Sequence, residues 1–258
     1  MSNELYAEKD GAIASLIINR PQKKNSFTLA MFKRLGELLD ELEQDSSVKV
    51  LIIRGVDETA FSAGADISEF TEVRLHGKQA KDYNDYALES IGKLYRFSKP
   101  TIALIKTLAI GGGLELANSC DFRFATAGSK VGITAANIGI VYNLASTKRL
   151  YNLIGPAKTK ELLYTAKLIS AEEGKEIGLI DYVYPIEEIE EKCHDFANRI
   201  TVKSSVANSG IKKVIQAIID GENEESEYIE NVILESYSSD DYLEGIQAFL
   251  EKRKPNFS

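Results

Sequence analysis

Residues 101–117 read TIALIKTLAIGGGLELA. The first five, Thr101–Ile105, are apolar and β-branched and follow Pro100, which predicts a buried strand. The triplet Gly111-Gly112-Gly113 predicts a turn, and a short helix follows through Leu116. A glycine turn that opens a helix leaves backbone N–H groups without intrahelical partners at the positive end of the helix dipole, which suits developing negative charge. Glu115 stands three residues past the middle glycine, so it is held near anything bound there.

The same grammar extends outward. Ala12–Asn19, between Gly11 and the Arg20-Pro21 break, predicts a buried strand, and Val48–Arg54, ended by Gly55, predicts a second. Between them Thr28 caps a helix running to about Gln44, with Leu29, Phe32, Leu35, Leu38, Leu39 and Leu42 on one face. A loop of small residues spans Phe61–Ile67, and the polar stretch Ser68–Gln79 predicts a lid. Lys81–Phe97 predicts a helix, and Phe122–Ala125 and Lys130–Ile133 predict short strands. From about Ser146 onward the pattern is helical, at roughly Pro156–Ala166, Glu187–Ile200, Val202–Ile219, Glu224–Tyr237 and Asp240–Lys252. The expected fold is therefore α/β, βαβ units followed by helices, with a core over residues 1–200 and a C-terminal helical appendage over 201–258.

Composition narrows the function. Of 258 residues, 44% are hydrophobic and 27% charged, which is ordinary for a globular chain. A net charge of −8 argues against nucleic acid, whose phosphates demand a basic face. Met1–Gly11 carries charges and no apolar run of signal-peptide type, and no apolar run approaches the length of a membrane span; even Thr101–Ala109 is broken by Lys106. The chain reads as soluble and cytoplasmic. Two cysteines and two histidines argue against a disulfide framework and a metal site, and chemistry without a cofactor is expected. A dinucleotide fingerprint fails because Leu116 stands where the third glycine would be, and no P-loop or GxSxG elbow is present.

Two small-residue segments each follow a strand: Ala63-Gly64-Ala65-Asp66 after the second, and Gly111-Gly112-Gly113 after the third. Ligands in α/β sheets sit beyond the carboxyl ends of strands, where such loops converge. Two N–H groups aimed at one carbonyl oxygen form an oxyanion hole, and losing one donor costs about 10²–10³ in rate. Taken singly, the glycines also suit tight packing, and Glu115 suits the dipole as a first-turn carboxylate.

The motifs together resemble the crotonase family of enoyl-CoA hydratases and isomerases. The matching blocks, in order, are Asn19-Arg20-Pro21 with Asn25, the run Phe61 to Ile67, Lys99-Pro100, Gly111-Gly112-Gly113-Leu114-Glu115-Leu116-Ala117, Cys120-Asp121, Gly178-Leu179-Ile180, and the run Ala248 to Lys254. The resemblance implies a crotonase-like spiral of ββα units with a C-terminal helical region, assembled as a homotrimer or homohexamer. It implies an acyl-CoA substrate whose thioester carbonyl is held by the N–H groups of Ala65 and Gly112, with Glu115 as catalytic residue. It places Ala63, Asp66 and Ile67 along the coenzyme A. Phe249 and Lys252 match positions that in relatives approach the nucleotide end, often from a neighbouring subunit. Gln22 replaces a family lysine, a phosphate contact that Lys23 or Lys24 would have to supply.

One departure bears on mechanism. Hydratases of this family use two glutamates; Glu115 matches the first, and in register the second falls at Ala135. The family's glycine-rich stretch also reads Tyr142-Asn143-Leu144-Ala145-Ser146. A positioned acid or base contributes about 10²–10⁴-fold. The expectation is an enolate-stabilising enzyme, nominally a hydratase-like lyase, in which Tyr142, Asn143, Tyr83 or Tyr86 supplies a second polar group. Glu161 or Glu172 fills the role if the register is wrong. The alternatives are another reaction of the family (isomerisation, decarboxylation or thioester hydrolysis) and a catalytically silent acyl-CoA-binding protein.

Overall fold

The computed structural model describes residues 4–257. The chain begins with strands β1 (Leu5–Asp10) and β2 (Ile13–Ile18), helix α1 (Leu29–Gln44) and strand β3 (Val50–Gly55). Helices α2 (Phe70–Val73) and α3 (Gly77–Tyr95) lead to β4 (Thr101–Ile105), β5 (Leu108–Ile110) and α4 (Gly112–Asn118). Next come β6 (Phe122–Thr126), β7 (Lys130–Gly132), α5 (Leu144–Thr165), β8 (Ile169–Ser170), α6 (Ala171–Glu176) and β9 (Tyr182–Tyr184). Helices α7 (Ile189–Thr201), α8 (Ser205–Asp220), α9 (Glu227–Tyr237) and α10 (Asp240–Glu251) complete the chain.

Six strands form the main sheet in the order β1-β2-β3-β4-β6-β9, and β5-β7-β8 form a second, smaller sheet. β1 runs antiparallel to β2, and the other main-sheet pairs are parallel. After β4, and again after β6, the chain leaves the main sheet and adds its next strand to the small one. This is the spiral of strand pairs and helices that the resemblance implies.

The apolar runs of β3 and β4 follow from burial on both faces. Because successive side chains alternate, Leu51, Ile53, Ala103 and Ile105 pack with Phe32, Leu35 and Leu39 of α1. Val50, Ile52, Ile102 and Leu104 pack on the other face with Ile189, Cys193 and Ala197 of α7. Thr28 caps α1 by accepting from the Met31 N–H at 3.2 Å, as its sequence predicts.

Several elements differ from expectation. β1 is an edge strand whose outer half, Glu8-Lys9-Asp10, is exposed and charged, so it has no apolar periodicity to read. β5, β8 and β9 are two or three residues long, too short for a pattern. The helix expected from Pro156 is the second half of α5, which begins at Leu144 and breaks at Gly155 (φ 70°) before Pro156. The stretch Ser68–Gln79, expected to be a lid, contains α2 and the start of α3. The C-terminal helices are tied to the rest by Lys212, whose ammonium meets Asp121 at 2.8 Å and the Lys99 carbonyl at 3.1 Å, and by the Lys148–Asp220 ion pair at 2.8 Å. No helix among the described residues is long and apolar enough to cross a membrane.

The loop after β3 is joined to the β5–α4 turn. Ser62 and Ala109 form a parallel bridge, in which the Ile110 N–H donates to the Ser62 carbonyl at 2.9 Å. At this crossing only glycine fits. Gly64 has φ 93°, and a Cβ there would stand 2.8 Å from the Ile110 carbonyl oxygen. A Cβ on Gly113 would run into the Ser62 carbonyl. Gly113→Ala should therefore cost about 1–3 kcal/mol or more, the range for overpacking a core. Gly77→Ala, at an α3 site with nothing within 4 Å, should be neutral or slightly stabilising. Denaturant titration of both variants checks this; equal effects would mean that the crossing tolerates a side chain.

Candidate functional site

The crossing opens onto a cavity of about 400 Å³. Ala63, Gly64 and Ala65 form one edge, Gly111 and Gly112 the next, and Phe32, Phe70, Leu88 and Ile91 give an apolar wall. The local hydrogen bonding fixes which N–H groups stay free. In the bridge between Phe27 and Ala65, Phe27 donates to the Gly64 carbonyl at 2.7 Å and accepts from the Asp66 N–H at 2.8 Å. Strand alternation then turns the Ala65 N–H the other way. Neither it nor the Gly112 N–H at the start of α4 donates to any described residue. The two segments are close: a Cβ on Gly112 would lie 3.5 Å from the Ala65 nitrogen. Two neighbouring unpaired donors, one at a helix start, suit an oxygen that carries or gains negative charge.

Glu115, in the first turn of α4, is the one carboxylate among the described residues lining the cavity. It is buried, and both of its oxygens are engaged. The Tyr142 hydroxyl donates to Oε2 at 3.0 Å, and the Ser146 hydroxyl donates to Oε1. The Arg149 guanidinium lies 3.5 Å from Oε1 and stacks over the Tyr95 ring at 4.8 Å. Burial pushes the Glu115 carboxyl above its ordinary pKa of 4.5, while Ser146, Arg149, Tyr142 and Arg74 oppose part of that rise. Burial, followed by the neighbouring Glu115, raises the Tyr142 phenol well above its usual range, so it remains a neutral donor.

The expected site residues divide. Ala63, Ala65, Ile67, Gly112, Glu115 and Ala135 all line the cavity. Tyr83, Tyr142 and Asn143 do as well, and Asn143 also caps α5 by accepting from the Ser146 N–H at 2.9 Å. Asp66 belongs to the same loop but points away. Its carboxylate accepts from Ser68 at 2.6 Å and from Arg20 at 2.6 Å, which hold its pKa at about 2 against the opposing effect of burial. Tyr86 lies outside the cavity, with the Lys33 ammonium over its ring. Glu161 pairs with Lys158 and Lys167, and Glu172 accepts from the Gly128 N–H; neither reaches the cavity. Phe249, exposed on α10, lines a separate groove among the C-terminal helices, and Lys252 ends that helix. Sequence reasoning misses Ser146 and Arg149 as partners of Glu115, and Arg74 on the cavity wall.

The structure superposes on an enoyl-CoA hydratase/carnithine racemase from Magnetospirillum magneticum with a TM-score of 0.95 at 31% identity, covering 100% of this chain and 96% of that one. In sequence it is 34% identical to the crotonyl-CoA hydratase of Syntrophomonas wolfei over 98% of this chain and 97% of the relative. It is 32% identical to the short-chain-enoyl-CoA hydratase of Clostridium acetobutylicum over 98% of this chain and 96% of the relative. The enoyl-CoA hydratase/isomerase family pattern matches residues 8–258. The fold is thus the crotonase fold. The chain belongs to the enoyl-CoA hydratase/isomerase family.

The burial of Glu115 has a consequence for stability. A carboxyl with a raised native pKa holds more protons when folded than when unfolded, between its unfolded value near 4.5 and its native value. Stability contributed by this group therefore falls as pH rises through that window and levels off above it. Glu115→Gln removes the titration, so its stability relative to wild type should improve steadily from pH 4 upward. Chemical denaturation across pH measures the difference; a pH-independent difference would mean that the native carboxyl titrates as it does in the unfolded chain.

Proposed function

We propose that the chain is an enzyme that binds an acyl-coenzyme A thioester, holds its carbonyl oxygen on the Ala65 and Gly112 N–H groups, and stabilises the enolate that forms there. The observation carrying this reading is the placement of one buried carboxyl, Glu115, on the same cavity as two adjacent amides that lack acceptors. The reaction is nominally hydratase-like. Water adds to the β-carbon of a 2-enoyl thioester, Glu115 takes the water's proton, and the electron pair moves onto the thioester oxygen. The enolate then recovers a proton at the α-carbon, and Glu115 is the group in place to return it. No resident cofactor is needed, because coenzyme A is part of the substrate.

The balance around Glu115 supports this role. A group that takes and gives a proton works best with a pKa near the operating pH. Burial raises the value, and Ser146, Tyr142 and two arginines restrain the rise. Ala135 lines the cavity where the second glutamate of relatives is expected, and no other lining carboxylate replaces it among the described residues. Hydration should therefore run with a single carboxyl. Assembly as a trimer or a pair of trimers belongs to the same proposal, with Phe249 and Lys252 reaching the nucleotide end of a neighbour's ligand. The 82% exposure of Phe249 and 74% of Leu250 supports it, since such side chains favour burial against a partner.

Crotonyl-CoA, followed by its enone absorbance, tests the reaction. The wild type should hydrate it slowly compared with a two-glutamate enzyme. Glu115→Gln should lower kcat and kcat/KM together while coenzyme A binding persists, the pattern of an interaction made in the transition state. Ala135→Glu should raise turnover, by less than the 10²–10⁴ of a well-supported acid or base, because Tyr142 and Asn143 do not shape the pocket for it. Wild-type turnover in the Gln variant would remove Glu115 from the mechanism. A folded, ligand-binding Ala135→Glu variant with no gain would point to a different reaction or to binding alone.

A further inference from the structure

The wall of the cavity contributed by α2 and α3 carries two donors that no described residue satisfies. Arg74, just past α2, is half-buried and lines the cavity, where it is the one cation among the described lining residues. Its guanidinium packs beside two aromatic rings that meet edge to face, 4.5 Å from the Phe70 ring centroid and 5.2 Å from that of Tyr83. The neighbouring carboxylates are engaged elsewhere: Asp66 pairs with Arg20, Glu115 sits beside Arg149, and Glu69 accepts from the Leu29 N–H at 3.0 Å. Arg74 forms no ion pair with any described residue. Tyr83 is 3% exposed, lines the same cavity, and its buried hydroxyl has no hydrogen-bond partner.

Such groups are costly to bury without an acceptor. A plain alkyl chain filling the cavity would complete their desolvation and give nothing back. A carboxylate would accept from both, and a guanidinium already packed against two rings loses little freedom in binding it. Arg74 lines the same cavity as Glu115, Ala65 and Gly112. That position fits a contact to the acyl group better than one to coenzyme A phosphates.

We propose that the acyl group taken by this cavity carries a second carboxylate, bound by the Arg74 guanidinium and the Tyr83 hydroxyl. The proposal rests on the acyl-thioester reading above and names its substrate class: thioesters of dicarboxylic acids. It makes Arg74 a specificity-determining residue.

Calorimetric binding of thioesters matched in carbon number tests this without turnover, pairing glutaryl-CoA with valeryl-CoA and adipyl-CoA with hexanoyl-CoA. At least one carboxylated thioester should bind about tenfold or more tighter than its neutral match, the effect of a charge-assisted hydrogen bond. Arg74→Met should bring that ratio to about one, Arg74→Lys should retain part of it, and Tyr83→Phe should reduce it, with thermal melts confirming that each variant is folded. Neutral thioesters that bind as well as or better than their carboxylated matches in the wild type would overturn the proposal. So would an Arg74→Met variant that weakens both members of a pair equally, which would assign Arg74 to the coenzyme A end or to structure. A protein that binds none of the four would overturn the thioester reading itself, an outcome distinct from both.

Discussion

The close passage of two backbone turns, at Ser62–Ala65 and Ile110–Gly113, is the constraint on which the rest of the site depends. The Ser62–Ala109 bridge locks the loop after β3 to the turn between β5 and α4. Gly64 and Gly113 permit the approach because neither has a Cβ to collide with the carbonyl opposite. The approach brings an unpaired loop amide beside an unpaired helix-start amide. It also fixes where α4 begins, and so where Glu115 points. Packing in the main sheet serves this crossing: β3, buried on both faces, leads directly into the first turn, and its parallel neighbour β4 leads through β5 of the small sheet into the second.

Glu115 illustrates how a buried charge is balanced rather than neutralised. Desolvation alone favours the protonated acid. Two hydroxyl donors and a buried arginine oppose it, and Arg74 opposes it from the far wall. The charge of Arg149 is itself disfavoured by burial, and Glu115 is the strongest of the groups that oppose this. The two groups therefore stabilise each other's ionised forms, and removing either leaves the other less compensated for its burial.

Much of this is legible in the sequence, for identifiable reasons. The helix after Thr28 and the strands β2, β3 and β4 announce themselves because burial on a face, or on two, imposes periodicity. The glycines and Glu115 are legible because turn, helix start and carboxyl are contiguous. Ser146 is not: its partner lies 31 residues away, and nothing local in Leu144-Ala145-Ser146 marks a hydroxyl aimed at a carboxylate. Arg74 is lost for a related reason. It falls in a polar stretch that reads as solvent-exposed, yet Phe70 and Tyr83 fold its guanidinium against the cavity. The side chain of Asp66 is not legible either, since its ion-pair partner Arg20 stands 46 positions earlier and draws its carboxylate inward.

The central claim is that the Ala65 and Gly112 amides polarise a thioester carbonyl. The carbonyl stretching frequency of butyryl-CoA labelled with carbon-13 at the thioester carbon, measured by isotope-edited infrared difference spectroscopy, reports that polarisation directly. Two aligned donors at a helix start should lower the frequency on binding below its value in water. A frequency equal to that in water, or higher as in a dry pocket without donors, would contradict the account.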